Sequence, residues 1–222
     1  DQAQLKSLLH PINIDEMQNY HRIDASIRNT AAFIKMDEID GVKYGVPYRG
    51  DIQTILYNAK KLKEAPGSWN ALLSEAHRKK VSPFYQAEYN VGAILLAMGY
   101  EPEAAYNMAA QNIDWEKVSK NLEELALNSY GFWDWPPSDK LIEECDMLYG
   151  YGLLLRFSNL KDNNWQVAIP KEGVQLWVDD FCISAGVKRS PEKLKAAYLF
   201  IDYMLSDAMQ IKVYEDQYYI PV

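Results

Sequence analysis

Between Gly173 and Gly186 the chain runs Val174-Gln175-Leu176-Trp177-Val178-Asp179-Asp180-Phe181-Cys182-Ile183-Ser184-Ala185. Gln175 to Ile183 is rich in β-branched and aromatic residues and is closed off by glycine on both sides, which predicts a strand. Residues two apart on a strand share a face, so Trp177 and Asp179 stand side by side. An indole face attracts positive charge through its quadrupole, and a neighbouring carboxylate accepts a charge-assisted hydrogen bond from an ammonium. The pair suits an organic cation. A strand Trp is also ordinary core and an Asp an ordinary solvated edge, so residue types alone leave both readings open.

The rest of the chain alternates short strands with helices. Residues 1–10 read as a helix with Leu5, Leu8 and Leu9 on one face, ending at Pro11, and 12–36 as loops and short helical turns. Val42–Tyr48 and Ile52–Tyr57 read as two strands joined by Arg49-Gly50-Asp51, and Lys79–Pro83 as a short strand. Helices follow: one carrying Trp69, Leu72 and Leu73 behind Ser68, and one with Val91, Ile94, Leu95 and Met98 stopped by Gly99. Two more span 101–112 and 114–128, the latter burying Val118, Leu122, Leu125 and Leu127. Tyr130-Gly-Phe-Trp-Asp-Trp-Pro-Pro137 is a loop carrying large rings, a pattern that lines sites or caps cores. Helix 138–145, strand 146–149, helix 152–160 and strand 165–170 precede the central strand. Ser190-Pro191 then opens a helix with Leu194, Ala197, Tyr198, Ile201 and Leu205 on one face, and a last helix runs from Asp207 to about Glu215. The class is α/β, with a mostly parallel sheet expected.

At 222 residues there is room for one large domain or two lobes. A net charge of −8 argues against a nucleic-acid partner or an anionic membrane. The longest apolar run, Val91 to Met98, is far shorter than the ~20 residues that cross a bilayer. No basic-then-apolar leader opens the chain, so it reads as cytosolic or as a mature or trimmed form of an exported protein. Cys145 and Cys182 fit either a disulfide or two buried thiols.

Catalytic and metal signatures are sparse. His10, His21 and His77 have no partner at ligand spacing, so no metal and no cofactor is expected. Walker A and G-x-S-x-G sequences are missing, and Gly150-Tyr151-Gly152 is only half a dinucleotide fingerprint. Asp134, Glu143, Glu144, Asp179 and Asp180 offer carboxylates for glycoside hydrolysis, but their spacing selects no pair.

Several passages in order resemble the spermidine/putrescine-binding proteins of ABC importers. They are Tyr44-Gly-Val-Pro-Tyr48 with Ile55-Leu-Tyr-Asn58, Pro66-Gly-Ser-Trp69, and Leu95-Leu-Ala-Met-Gly-Tyr100. Val167-Ala-Ile-Pro-Lys-Glu-Gly173, Leu176-Trp-Val-Asp179, the 190–205 helix and Tyr218-Tyr-Ile-Pro221 continue the series. The resemblance implies a two-lobed, type II periplasmic-binding-protein-like α/β fold with hinge strands and a ligand in the cleft. Residues 1–54 and 178–222 would form a first, incomplete lobe and 55–177 the second, the chain lacking family segments at both ends.

It also implies a site. The family's aromatic-x-Asp falls on Trp177 and Asp179, and an aromatic ending an earlier strand falls on Tyr149. Positions at the start of the helix after the short strand fall on Gln86 and Tyr89, with Glu88 adjacent. Trp133 joins as a further ring. Putrescine binders carry Asp where this chain has Gly152, so one anionic partner remains. A second buried ammonium without a carboxylate costs several kcal/mol, so a monoamine or a polar solute fits better than a diamine. The expected protein is a monomeric, non-enzymatic periplasmic or extracellular receptor, lipid-anchored in one full-length form, that passes a small cationic or polar solute to a membrane permease. A carbohydrate-binding protein or carbohydrate-active enzyme using Asp134 or Asp179 beside aromatic platforms is the alternative, and a sensory role on the same fold is a third.

Overall fold

In the computed structural model, which describes residues 2–29, 37–102, 104, 112–157, 160 and 164–222, the strand expected at Gln175 forms as Gln175–Ser184. In chain order the strands are β1 (Leu9–His10), β2 (Glu38–Ile39), β3 (Val42–Lys43), β4 (Gly45–Asn58) and β5 (Val81–Pro83). They continue with β6 (Met147–Tyr151), β7 (Trp165–Ala168), β8 (Gln175–Ser184) and β9 (Ile220–Pro221). The chain divides into two compact units, Asp1–Gly50 with Val178–Val222, and Asp51–Trp177. Both β4 and β8 run unbroken through the division.

In the discontinuous unit, β1 pairs antiparallel with β8 (Leu9↔Ser184), and β9 pairs antiparallel with β4 (Arg49↔Pro221). The Pro191–Met204 helix turns Tyr198, Ile201 and Leu205 onto Ile12, Met17, Tyr20, Ile23, Val46 and Ile183 to make the core. Ser190 caps that helix by accepting from Lys193 N–H, with Pro191 in the first turn, where its missing N–H costs no bond. Segments far apart in sequence are tied by Asn13 N–H donating to Tyr198 Oη (2.8 Å) and Asn19 N–H donating to Asp202 Oδ1 (2.6 Å).

In the contiguous unit, β4 pairs antiparallel with β6 and with β7, while β5 runs parallel to β6. Both faces of β4 are covered, so its residues alternate between two cores. Ile55 and Tyr57 join Trp69, Leu72, Leu96 and Tyr149, whereas Leu56 joins Phe84, Trp133, Leu148 and Trp165. Asp114 caps the Trp115–Asn128 helix by accepting from Lys117 N–H, and Gly99, at φ 82°, ends the Ala87–Ala97 helix.

Several expectations need correction. The sheet is not mostly parallel: β4 meets β6, β7 and β9 antiparallel, while β5–β6, separated by the Ala87–Ala97 and Trp115–Asn128 helices, is a parallel pair. Counting alternating helices and strands misses this, because a strand can be followed by a helix and still be answered by a strand returning beside it. Arg49-Gly50-Asp51 does not join two strands but lies inside β4, since every residue there finds a ladder or core partner. The first helix stops at Leu8 and hands its last residues to β1. Leu127 is 49% exposed, on the opposite side of the helix from the face that buries Val118 and Leu125. The last helix extends to Gln217, and only Leu154–Phe157 of 152–160 is helical among the described residues. Most of the helix expected at 101–112 lies outside them. Cys145 and Cys182 are free thiols.

Candidate functional site

The contiguous unit gathers rings at the end of β6. Tyr151 is the last residue of that strand, and four rings meet it nearly edge to face: Phe84 at 5.1 Å, Trp177 at 6.0 Å, Tyr89 at 6.2 Å and Trp135 at 6.3 Å between centroids. Such geometry sets the positive edge of one ring against the negative face of the next. Backbone bonds place the contributors. Phe84 N–H donates to Tyr149 O (2.9 Å), and Tyr85 N–H donates to Trp133 O (2.8 Å), so the chain after β5 and the 130–137 loop are sewn to the end of β6. Gly150 is required here: a Cβ on it would lie 2.3 Å from Trp133 Cζ2. A Cβ on Gly152 would be 3.3 Å from Asp51 Oδ1, so a carboxylate at that position would crowd one already there. Asp51, 2% exposed, accepts from Leu153 N–H (3.0 Å).

The expected residues divide by depth. Trp177 and Tyr89 are half-buried around Tyr151, and Gln86, half-buried, precedes the Ala87–Ala97 helix without using its side chain as a cap. Trp133 and Tyr149 depart from the expectation, because both are interior, at 1% and 0% exposed. Trp133 Nε1–H donates to Tyr149 O (3.1 Å), and Tyr149 Oη donates to Tyr89 O (2.7 Å) while accepting from Gln175 Nε2–H (3.1 Å). Their ring faces serve the core. The half-buried and exposed rings are Tyr151 and Trp135, each two residues further on. Gln175 was not anticipated. It is 6% exposed, donates to Tyr89 O (3.2 Å), and lies where a Cβ on Gly92 would meet its amide at 2.7 Å.

In the discontinuous unit the carboxylate expected to anchor an amine already holds a cation. Asp179 Oδ2 accepts from Arg49 Nε–H at 2.8 Å, and Gln217 Oε1 accepts from Arg49 Nη1–H at 2.8 Å. The guanidinium carbon lies 4.1 Å from the Tyr219 ring centroid and 5.0 Å from that of Tyr48. One position on, burial pushes the Asp180 carboxyl up to about 7, helped by the charge of Asp37, to which it is hydrogen-bonded. Asp37 is itself raised by burial, against the opposing pull of Lys43, whose Nζ stands 3.5 Å from its Oδ2. When both acids are ionised neither can donate to the other, so one proton shared between them satisfies the pair. Gly45 leaves the room, since a Cβ there would be 3.1 Å from Asp37 Oδ1 and 3.4 Å from Asp180 Cβ. Among the described residues no group of three or more His, Cys, Asp or Glu is placed to hold a metal ion.

A two-unit α/β fold with two strands that belong to both units is that of the type II periplasmic binding proteins. Solved structures with this fold include the spermidine/putrescine substrate-binding protein PotD of Streptococcus pneumoniae (TM-score 0.73, 21% identity, 92% of this chain and 59% of that one). The PotD lipoprotein of Treponema pallidum superposes with TM-score 0.71 at 18% identity, over 96% of this chain and 64% of that one. A GABA receptor does so with TM-score 0.72 at 20% identity, over 100% and 62%. Residues 2–222 match the family model of bacterial extracellular solute-binding proteins, and the chain belongs to that family. It spans about 60% of the length of the first of these structures.

Proposed function

We propose that the protein is the solute-binding receptor of an ABC importer, taking a small polar or amine-bearing solute on the rings around Tyr151 and delivering it to a membrane permease. The observation that carries this reading is the convergence of Phe84, Tyr89, Trp135 and Trp177 on Tyr151 at the C-terminal end of β6. Faces of that kind attract alkyl chains and cations without making or breaking a bond. Family membership supports the receptor over the carbohydrate-active alternative. So does the state of the two acids that alternative needs: Asp134 Oδ1 accepts from Trp135 N–H and Asp179 from Arg49.

The test is calorimetric titration of wild type, Tyr151→Ala and Trp177→Ala with putrescine, monoamines, amino acids and sugars. Loss of a ring that contacts ligand costs ~2 kcal/mol or more, so each variant should bind at least about thirtyfold more weakly. Affinities within twofold of wild type in both variants, with near-UV circular dichroism unchanged, would remove the site.

A further inference from the structure

The expected amine anchor is neutralised by its own chain, and the group that neutralises it has donors to spare. Arg49 carries five N–H groups in a planar fork. One goes to Asp179, one to Gln217 and one to the Tyr48 hydroxyl, which leaves two. The side chain is 23% exposed and that of Asp179 is 40% exposed, so neither is sealed from a small molecule.

The guanidinium is also held still. Asp179 fixes its Nε edge, Gln217 its Nη1, and the rings of Tyr219 and Tyr48 lie within cation–π distance of its carbon at 4.1 and 5.0 Å. Backbone pairing of Arg49 with Pro221 brings the Tyr218–Val222 segment to it, and Gln210 reinforces this by donating to Tyr48 O (3.1 Å) and accepting from Val222 N–H (3.0 Å). An ordered guanidinium loses little further rotamer freedom when a ligand arrives. Its free N–H groups match a carboxylate through two parallel charge-assisted bonds, a geometry that lysine cannot offer. A second ammonium brought to the same place would meet the Arg49 charge with the Asp179 carboxylate already engaged.

We infer that Arg49 is the solute-recognition residue of the discontinuous unit, and that the solute carries a carboxylate, as an amino acid does and a diamine does not. This rests on the receptor reading above and specifies the ligand class within it. Arg49 acts by direct contact, while Asp179, Gln217, Tyr48 and Tyr219 are positioning residues.

A series of equal chain length tests it: putrescine, 4-aminobutanoate, butanoate and n-butylamine, each titrated calorimetrically into wild type, Arg49→Gln and Arg49→Lys, beside a broader panel of amino acids. The expected result is that a carboxylate-bearing member binds most tightly, that Arg49→Gln weakens it at least about tenfold, and that Arg49→Lys recovers only part because the fork is gone. Ligand-free melting temperatures report folding of each variant, and Arg49→Lys, which keeps the charge, serves if the glutamine variant does not fold. Two results overturn the inference and leave the receptor standing: putrescine bound more tightly than every carboxylate, or carboxylate affinity within twofold of wild type in Arg49→Gln or Arg49→Lys. Finding no solute that binds removes the receptor reading and the inference with it.

Discussion

Asp180→Asn should stabilise the protein at neutral pH and leave it almost unchanged in mild acid. In the unfolded chain Asp180 loses its proton near 3.8, whereas in the fold burial and the charge of Asp37 hold the proton until about 7. Between those values the folded state binds more protons than the unfolded state, so stability falls as pH rises. The contribution is whole below about 3.8 and gone above about 7. At about 1.4 kcal/mol per pH unit that interval amounts to ~4 kcal/mol, and screening by water at a partly exposed group halves it to ~2 kcal/mol. Asparagine carries no charge at any pH and so keeps what the wild type loses, while Lys43 stays with Asp37. For a chain of this size ~2 kcal/mol corresponds to a melting-temperature shift of about 4–8 °C. Differential scanning fluorimetry across this range should show the variant and wild type melting together near pH 4 and the variant rising above wild type as pH approaches 8. A difference that is constant with pH, or a wild type more stable than the variant at about pH 8, would refute the shared-proton account.

Gly150→Ala should lower stability by about 1–3 kcal/mol, because the new methyl drives into a Trp133 ring that is packed and hydrogen-bonded in place. An unchanged urea midpoint would show that the ring yields freely. Thiol labelling of the native protein should modify Cys182 and spare Cys145, which is fully buried and whose thiol burial pushes up to about 12. Equal labelling of both, read by mass spectrometry, would contradict that burial.

What the sequence made legible were features decided within a few residues. Gly173, the β-branched run after it, Ser190-Pro191 and Asp114 each set a local boundary, and the structure keeps those boundaries to within a residue or two. Depth along a strand is not local. Tyr149 and Tyr151 stand two apart in β6, which alternation reads as one face, yet Tyr149 packs with Ile55 and Trp69 in one core and Tyr151 against the core of Leu56 and Phe84 at the strand end. Trp133 and Trp135 sit in a loop with no period to count from. Partners distant in the chain stay hidden for the same reason. Nothing beside Asp179 announces Arg49, 130 residues earlier, and nothing beside Asp180 announces Asp37.

The division of the chain also orders events during synthesis. Residues 51–177 are contiguous, and every contact within that unit is available once Trp177 has been made. The other unit needs Leu9 to meet Ser184, Asn13 to meet Tyr198 and Arg49 to meet Pro221, so its first segment must wait for these partners through the whole of its neighbour's emergence. The pairings of that waiting segment, such as Leu9 with Ser184, close longer loops than those inside 51–177, such as Asn58 with Trp165. The contiguous unit is therefore the natural first folder, and its closing brings Asp51 and Trp177, the two residues where the other unit must resume, into one compact body.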